Sequence, residues 1–200
     1  MGHFAGFALD RAFGHPRGLL GTAGGALMAR SNAAAEHQVV RLAKLTGAED
    51  VLVIGPGPGV GLRAAAELAA RVVAVEPSAP MRQASCRRCA ELPNISVVDG
   101  TAEATGQPDA AFDVVLSVNN VQLWPDRAEA LAELRRVLRP GGVLLLSAHE
   151  RWLPGGRAGL HTDVQEAGFA DVQTWAWQPA RGTTQAQTRA IRPEWGFTDG

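Results

Sequence analysis

Cysteine is scarce in this chain: Cys86 and Cys89 are the only two, set in the string "CRRC". With no second pair, a four-ligand structural zinc site is excluded. A redox CxxC belongs just after the strand of a βα turn, whereas this one follows "PSAPMRQAS" well inside a helical stretch. The pair therefore reads as structural or incidental, and suits a reducing compartment. Long apolar runs are missing as well. The nearest approach to a targeting segment, "GLLGTAGGALMA" at 18–29, is too short to span a bilayer and is broken by four glycines. Asp10 precedes it and no small-x-small cleavage site follows, so the expectation is a protein without a secretory signal, located in the cytoplasm. Charge of one sign is also lacking. Nineteen basic and 20 acidic residues leave a net charge of -1, which gives no general attraction for nucleic acid or an anionic membrane. No internal repeat or low-complexity tract occurs.

What is present is the make-up of an ordinary globular domain. At 200 residues, with 46% hydrophobic and 20% charged, the chain suits one sizeable core. The run Val51 to Ile54 reads as a strand buried on both faces, and "LRAAAELAA" as a helix. Between them lies "GPGPGVG", a loop in which glycine permits positive φ and lets a ligand approach the main chain, with the next helix's free N–H groups facing it. Beyond it the chain alternates: strand 71–78, helix 79–92, strands 94–100 and 111–120, helix 126–138, strand 141–150, helix 160–168. Alternation of this kind predicts an α/β fold, a doubly wound and mainly parallel sheet. Two final strands, 170–179 and 183–193, meet across "ARG" and predict an antiparallel hairpin at one edge. Residues 1–46 are helical with glycine breaks and stand outside the alternation, so the division expected is a helical lid, 1–46, and a sheet domain, 47–200.

Ligands of such sheets bind beyond the carboxyl ends of the strands. Two acids end there. Glu76 closes the second strand, about 20 residues after the glycine loop, where a carboxylate can accept both hydroxyls of a ribose. Asp99 closes the third, placed to accept from an adenine amino group; the alternative for each is a cap on the following helix. A nicotinamide fingerprint needs glycine at position 60, which is Val60. Glycine at every second position, with Pro56 and Pro58 between, suits a ribose and an amino-acid tail better than a pyrophosphate.

On these residues the sequence resembles the class I S-adenosylmethionine-dependent methyltransferases, in particular the small-molecule enzymes of the ubiquinone/menaquinone-biosynthesis-like group. The resemblance spans roughly residues 48 to 192 and rests on five strings: "VLVIGPGPGVG", "VVAVEPSAPM", "VVDGTAE", "FDVVLSVNNVQLW" and "ELRRVLRPGGVLLLS". It implies a seven-stranded Rossmann-like sheet of order 3-2-1-4-5-7-6 with the last strand antiparallel, and S-adenosylmethionine as cofactor, leaving S-adenosylhomocysteine. Gly55, Gly57 and Gly59 would pass under the methionine part and ribose, and Glu76 would hold the ribose hydroxyls. Pro77, Ser78 and Met81 would lie beside the adenine, Asp99 with Gly100, Thr101 and Ala102 would contact its edge, and Asn119 would lie near the methionine moiety. One position departs from the pattern: the acid the family usually carries two places before the first glycine is Val53 here. That acid helps orient the cofactor's amino group.

Methyl transfer of this kind needs positioning first and a base only second. His149, at the end of the fifth strand, is the candidate catalytic base; His15 and His37 are weaker. The short link "AHERWLPGGRAGL" leaves no room for an inserted substrate domain, so residues 1–46 are expected to cover the site. Phe4, Phe7, Phe13, Leu19, Leu20 and Met28 could line an apolar pocket, with Trp124 and Trp152 at its rim, or could equally be core. The acceptor expected is a small, partly apolar molecule. Nucleic acid is disfavoured: "SVNNVQLW" lacks the Pro-Pro-aromatic string of amino-directed adenine methyltransferases, and no Pro-Cys nucleophile is present. No metal is expected either, since Asn119 and Asn120 stand where a hard cation would want carboxylates. A lipid headgroup presented through "RGLLGTAGGALMARSN", a non-methylating cofactor-binding protein and a nicotinamide-dependent oxidoreductase are the alternative functions.

Overall fold

The computed structural model describes residues 32–180 and 182–194. A helix over 32–43 (α1) leads into β1 (Asp50–Ile54), α2 (Val60–Ala66), β2 (Arg71–Val75), α3 (Ala79–Arg88), β3 (Ile95–Val98) and β4 (Phe112–Val118). Then follow α4 (Arg127–Val137), β5 (Leu138–His149), α5 (Gly156–Glu166), β6 (Ala170–Trp177) and β7 (Gln185–Ile191). The strands form one seven-stranded sheet of order β3-β2-β1-β4-β5-β7-β6. β7 runs antiparallel to both neighbours; the rest pair in parallel. Both the order and the closing hairpin agree with the sequence reading.

Side-chain alternation sorts the core into two layers. Val51 and Val53 point to one face, where they meet Val39 and Val40 of α1, Leu62 of α2 and Cys89 beyond α3. Leu52 and Ile54 point to the other, where Leu131 and Leu134 of α4 and Leu160 and Val164 of α5 cover them. On α4 the buried residues Ala130, Leu131, Leu134 and Val137 make a stripe of helical period, and each fully buried leucine contributes roughly 1.5–3 kcal/mol. That helix begins at Asp126, whose side chain accepts the Glu129 N–H at 3.0 Å, a cap worth about 1 kcal/mol.

Several boundaries differ from the sequence expectation by a few residues, and two of the shifts have a clear local cause. α2 ends at Ala66 because the chain turns back at once, with Ala70 N–H bonded to Glu49 O at 3.1 Å as β2 begins. α5 starts at Gly156 rather than residue 160, because Gly155 takes a left-handed N-cap conformation (φ 75) that opens the helix earlier. At the amino end of the sheet, Arg139 of the "RPGG" string bridges Asp113 at 2.6 Å and Asp50 at 2.7 Å, tying the starts of β1, β4 and β5. Register then fixes the opposite edge. Ile54 pairs with both Val75 and Ser117, and Val75 with Val98, so Gly55, Glu76 and Asp99 emerge side by side, with Asn119 one residue beyond the end of β4.

Among the described residues no helix is long and apolar enough to cross a membrane, and no cluster of three or more His, Cys, Asp or Glu could hold a metal. Phe4, Phe7, Phe13, His15, Leu19, Leu20 and Met28 lie outside the described residues.

Candidate active site

The glycine loop is held from three sides. From β4, Asn120 donates to Ile54 O at 2.6 Å and Gly55 O at 3.3 Å, and its own oxygen accepts from Ser117 Oγ. Gly55 stands at φ 61 so close to this amide that a methyl group would collide with it. From α3, Ser85 Oγ donates to Gly57 O and Arg88 Nε to Pro58 O, each at 2.7 Å. Gly59, the α2 N-cap at φ 85, lies against Ser85, where a side chain would press on its backbone. Cys89 is buried under the same loop and burial pushes its thiol up, while Cys86 is exposed. The "CRRC" pair is thus one turn of a packing helix, in keeping with a structural role.

From β2, Glu76 closes the third side. Its Oε2 accepts the Gly57 N–H at 3.1 Å and its Oε1 the Ser78 N–H at 2.9 Å, so one carboxylate ties the glycine loop to the start of α3. The side chain is only 6% exposed. An ionised carboxylate can accept several hydrogen bonds, and two of those at Glu76 come from these amides. Pro77 is exposed beside it, while Ser78 and Met81 are buried. Arg82, one helical turn on, donates to Glu76 O and Pro77 O at 2.8 Å and to Asp99 Oδ1 at 2.7 Å. Asp99 is therefore paired and largely exposed, and together with Arg82 it forms the outer wall. Gly100, Thr101 and buried Ala102 continue that wall, Thr101 closing a turn with Ala104.

Polar atoms without partners mark what this edge is built to receive. Among the described residues, the buried Nδ2 and Oδ1 of Asn119, Ser78 Oγ and Gln122 Oε1 make no hydrogen bond. Leaving such an atom unpaired costs about 1–3 kcal/mol, so a group of them at the carboxyl edge is a place for a polar ligand. Asn119 is also held at φ 57. At Gly57, by contrast, nothing stands where a side chain would be. A buried carboxylate, a bare loop that allows close approach and an unpaired amide beyond it suit a polar ligand with hydroxyl groups.

At the far end of the edge, His149 Nδ1 lies 2.7 Å from both Thr183 Oγ1 and Gln185 Nε2. In one tautomer Nδ1–H donates to Thr183 and Nε2 carries the lone pair a base needs; in the other Nδ1 accepts from Gln185. Burial, with a smaller effect of Arg151, holds the imidazole below its ordinary 6.5. Trp152 packs edge-on to the ring at 4.9 Å and Arg151 stacks on the indole at 4.4 Å. Trp124 is packed against the core rather than standing free.

Reading by sequence missed Arg82, Ser85, Arg88 and the loop-holding role of Asn120. Only Arg82 had a visible signal, its position four residues after the N-cap Ser78. Also missed was Glu36 of α1, whose Oε2 accepts the Gly61 N–H at 2.5 Å. Burial, opposed by that N–H and by the charge of Arg88, raises its pKa to about 7. Its signal was an acid on the apolar stripe of Ala35, Val39 and Val40.

The seven-stranded, doubly wound sheet carries this edge at the carboxyl ends of its parallel strands, the usual place for a ligand in such folds. Residues 52–146, just under half of the chain, match the family model described as a methyltransferase domain. Over 119 residues it is 36% identical to a probable S-adenosylmethionine-dependent methyltransferase of Mycolicibacterium smegmatis, covering 58% of this chain and 44% of that protein. The chain thus spans less than half the length of that relative. An uncharacterized methyltransferase of Bacillus subtilis, YdaC, is 25% identical over 74% of this chain and 86% of its own length. The crystal structure of an S-adenosylmethionine-dependent methyltransferase from Aquifex aeolicus superposes with a TM-score of 0.70 at 16% identity, covering 82% of this chain and 92% of that one, a likeness of fold.

Proposed function

We propose that the protein transfers a methyl group from S-adenosylmethionine to a small, partly apolar acceptor. The observation that carries this reading is the grip of Glu76 on the glycine loop beside the unpaired amide of Asn119. When bound, the cofactor supplies a methyl group on a sulfonium, open to displacement in line by a nucleophile. Everything else falls to the chain. Glu76 receives the ribose hydroxyls, and Gly55, Gly57 and Gly59 let the methionine part lie against the main chain. Ser78, Met81, Asp99 and the turn Gly100 to Ala102 bound the adenine, with Pro77 at the outside. Asn119 holds the amino-acid tail. Such orientation alone can contribute about 7–11 kcal/mol by making the encounter effectively intramolecular.

His149 is the proposed proton acceptor where the nucleophile carries a proton. It works in the tautomer that donates Nδ1–H to Thr183, which fixes the ring and presents Nε2. Its lowered pKa keeps it neutral, the form a base requires, at pH 7. Residues 1–46 are proposed as the cover that selects the acceptor, with α1 as its base on the sheet.

The reading is tested with methyl-labelled S-adenosylmethionine and a panel of small hydroxyl, amine, thiol and carboxylate acceptors. Label transferred to at least one acceptor, and abolished in Glu76→Ala, is the expected result. Binding of the cofactor with no transfer to any of them would favour a non-methylating protein.

A further inference from the structure

Glu36 is too well buried for the company it keeps. Its side chain is 8% exposed, on the face of α1 that carries Val39 and Val40. Glutamate is almost never so buried unless paired. Here Oε2 takes a single N–H, from Gly61, and no other hydrogen bond to the carboxylate is made among the described residues. Gly61 is shaped to this contact, since a side chain there would press on Glu36 Cβ at 3.1 Å. Arg88 of α3 acts on the carboxylate only through its charge, its Nε being bonded to Pro58 O.

The pocket that Glu36 lines is otherwise apolar, formed by Val53, Leu62, Leu116 and Val118, and it includes Gly55, the first glycine of the loop. Val53 occupies the place where the resembled family carries its acid, and its side chain belongs to the same face of the sheet as α1. One wall of this pocket has therefore lost a carboxylate, and another has gained one.

We infer that Glu36, reaching across from the helix before the sheet, stands in for the missing acid and receives the α-ammonium group of the S-adenosylmethionine tail. This rests on the cofactor reading above. The occupant must be a cation that arrives beside Gly55 with an apolar chain behind it, and the tail of that cofactor has this chemistry. An ammonium supplies the counter-charge that one amide N–H does not. It also makes α1 a part of the cofactor site. Because Glu36 titrates near 7, only its ionised form attracts the cation, and affinity should rise between pH 6 and pH 8. Among the described residues that face it, Arg88 of α3 is the charged group, while β1, α2 and β4 line the pocket with apolar side chains and backbone.

The test is calorimetric binding of S-adenosylhomocysteine and of 5′-methylthioadenosine, which lacks the amino-acid tail, to the full chain and to Glu36→Gln. At pH 8 the variant should bind S-adenosylhomocysteine about tenfold or more weakly and methylthioadenosine as well as before. The rise in S-adenosylhomocysteine affinity from pH 6 to pH 8 should vanish with it. Unchanged affinity for S-adenosylhomocysteine, or equal losses for both ligands, would overturn the assignment. Failure of the unaltered chain to bind either nucleoside would instead overturn the cofactor reading, and the inference with it. Should Glu36→Gln fail to fold, as judged by its thermal transition, Glu36→Asp serves: its shorter reach should weaken the tailed ligand alone, and undiminished binding counts against the role.

Discussion

Replacing Glu36 by glutamine should stabilise the ligand-free protein at alkaline pH, and the size follows from the site. Burial raises this carboxyl from 4.5 to about 7, so the folded state holds a proton that the unfolded chain has given up. A folded pKa above the unfolded one contributes stability that is full below pH 4.5 and is lost as pH rises through 7. At 1.36 kcal/mol per tenfold in proton affinity, the loss totals about 3 kcal/mol by pH 8.5. Glutamine keeps an oxygen for the Gly61 N–H and never ionises. Relative to the variant, the unaltered protein should therefore match at pH 4.5 and fall behind by about 3 kcal/mol at pH 8.5, on the order of 6–12 °C in melting temperature for a chain of this size. Urea or thermal unfolding of both proteins across that range reads the difference directly, since every other titrating group cancels. Stability curves that run parallel from pH 4.5 to pH 8.5 would refute the argument, because a solvated Glu36 has no such dependence.

Further outcomes concern the loop and its neighbours. Glu76→Ala removes the acceptor of the Gly57 and Ser78 amides as well as the ribose contact, and should abolish most cofactor affinity; calorimetry showing near-normal binding would end the ribose assignment. Gly55→Ala must fit a methyl group against the Asn120 amide at positive φ, and should cost about 1–3 kcal/mol of stability with a loss of binding, measured by unfolding and titration. His149→Gln should slow turnover by no more than about 10²-fold. The unaltered protein should lose transfer rate as pH falls through a value below 6.5, a dependence absent from the variant; identical pH profiles would exclude His149 as proton acceptor.

Features carried by local pattern were legible in the sequence. An unbroken apolar run before "GPGPG" announced β1 and its loop, and acids closing the second and third strands fell on the edge that register later aligned. Less legible were contacts between distant parts of the chain. The arginine side chains of Arg82 and Arg88 bond backbone carbonyls, which carry no sequence signature, and Asn120 acts through the carbonyls of a strand more than 60 positions away. The start of α5 was hidden by Gly155 and Gly156, which punctuate a chain in sequence but open a helix here by left-handed capping. Glu36 was overlooked for a different reason. An acid among Ala35, Val39 and Val40 looks like a break in an apolar face, and only the fold shows that this face meets Gly61 and Val53.

The central claim is that the carboxyl edge of this sheet is a site for S-adenosylmethionine. Side-by-side calorimetric titration of the purified chain with S-adenosylmethionine, S-adenosylhomocysteine and NADH tests it most directly. Saturable binding of both sulfur nucleosides and none of NADH is expected; binding of NADH alone, or of none of the three, would overturn the assignment.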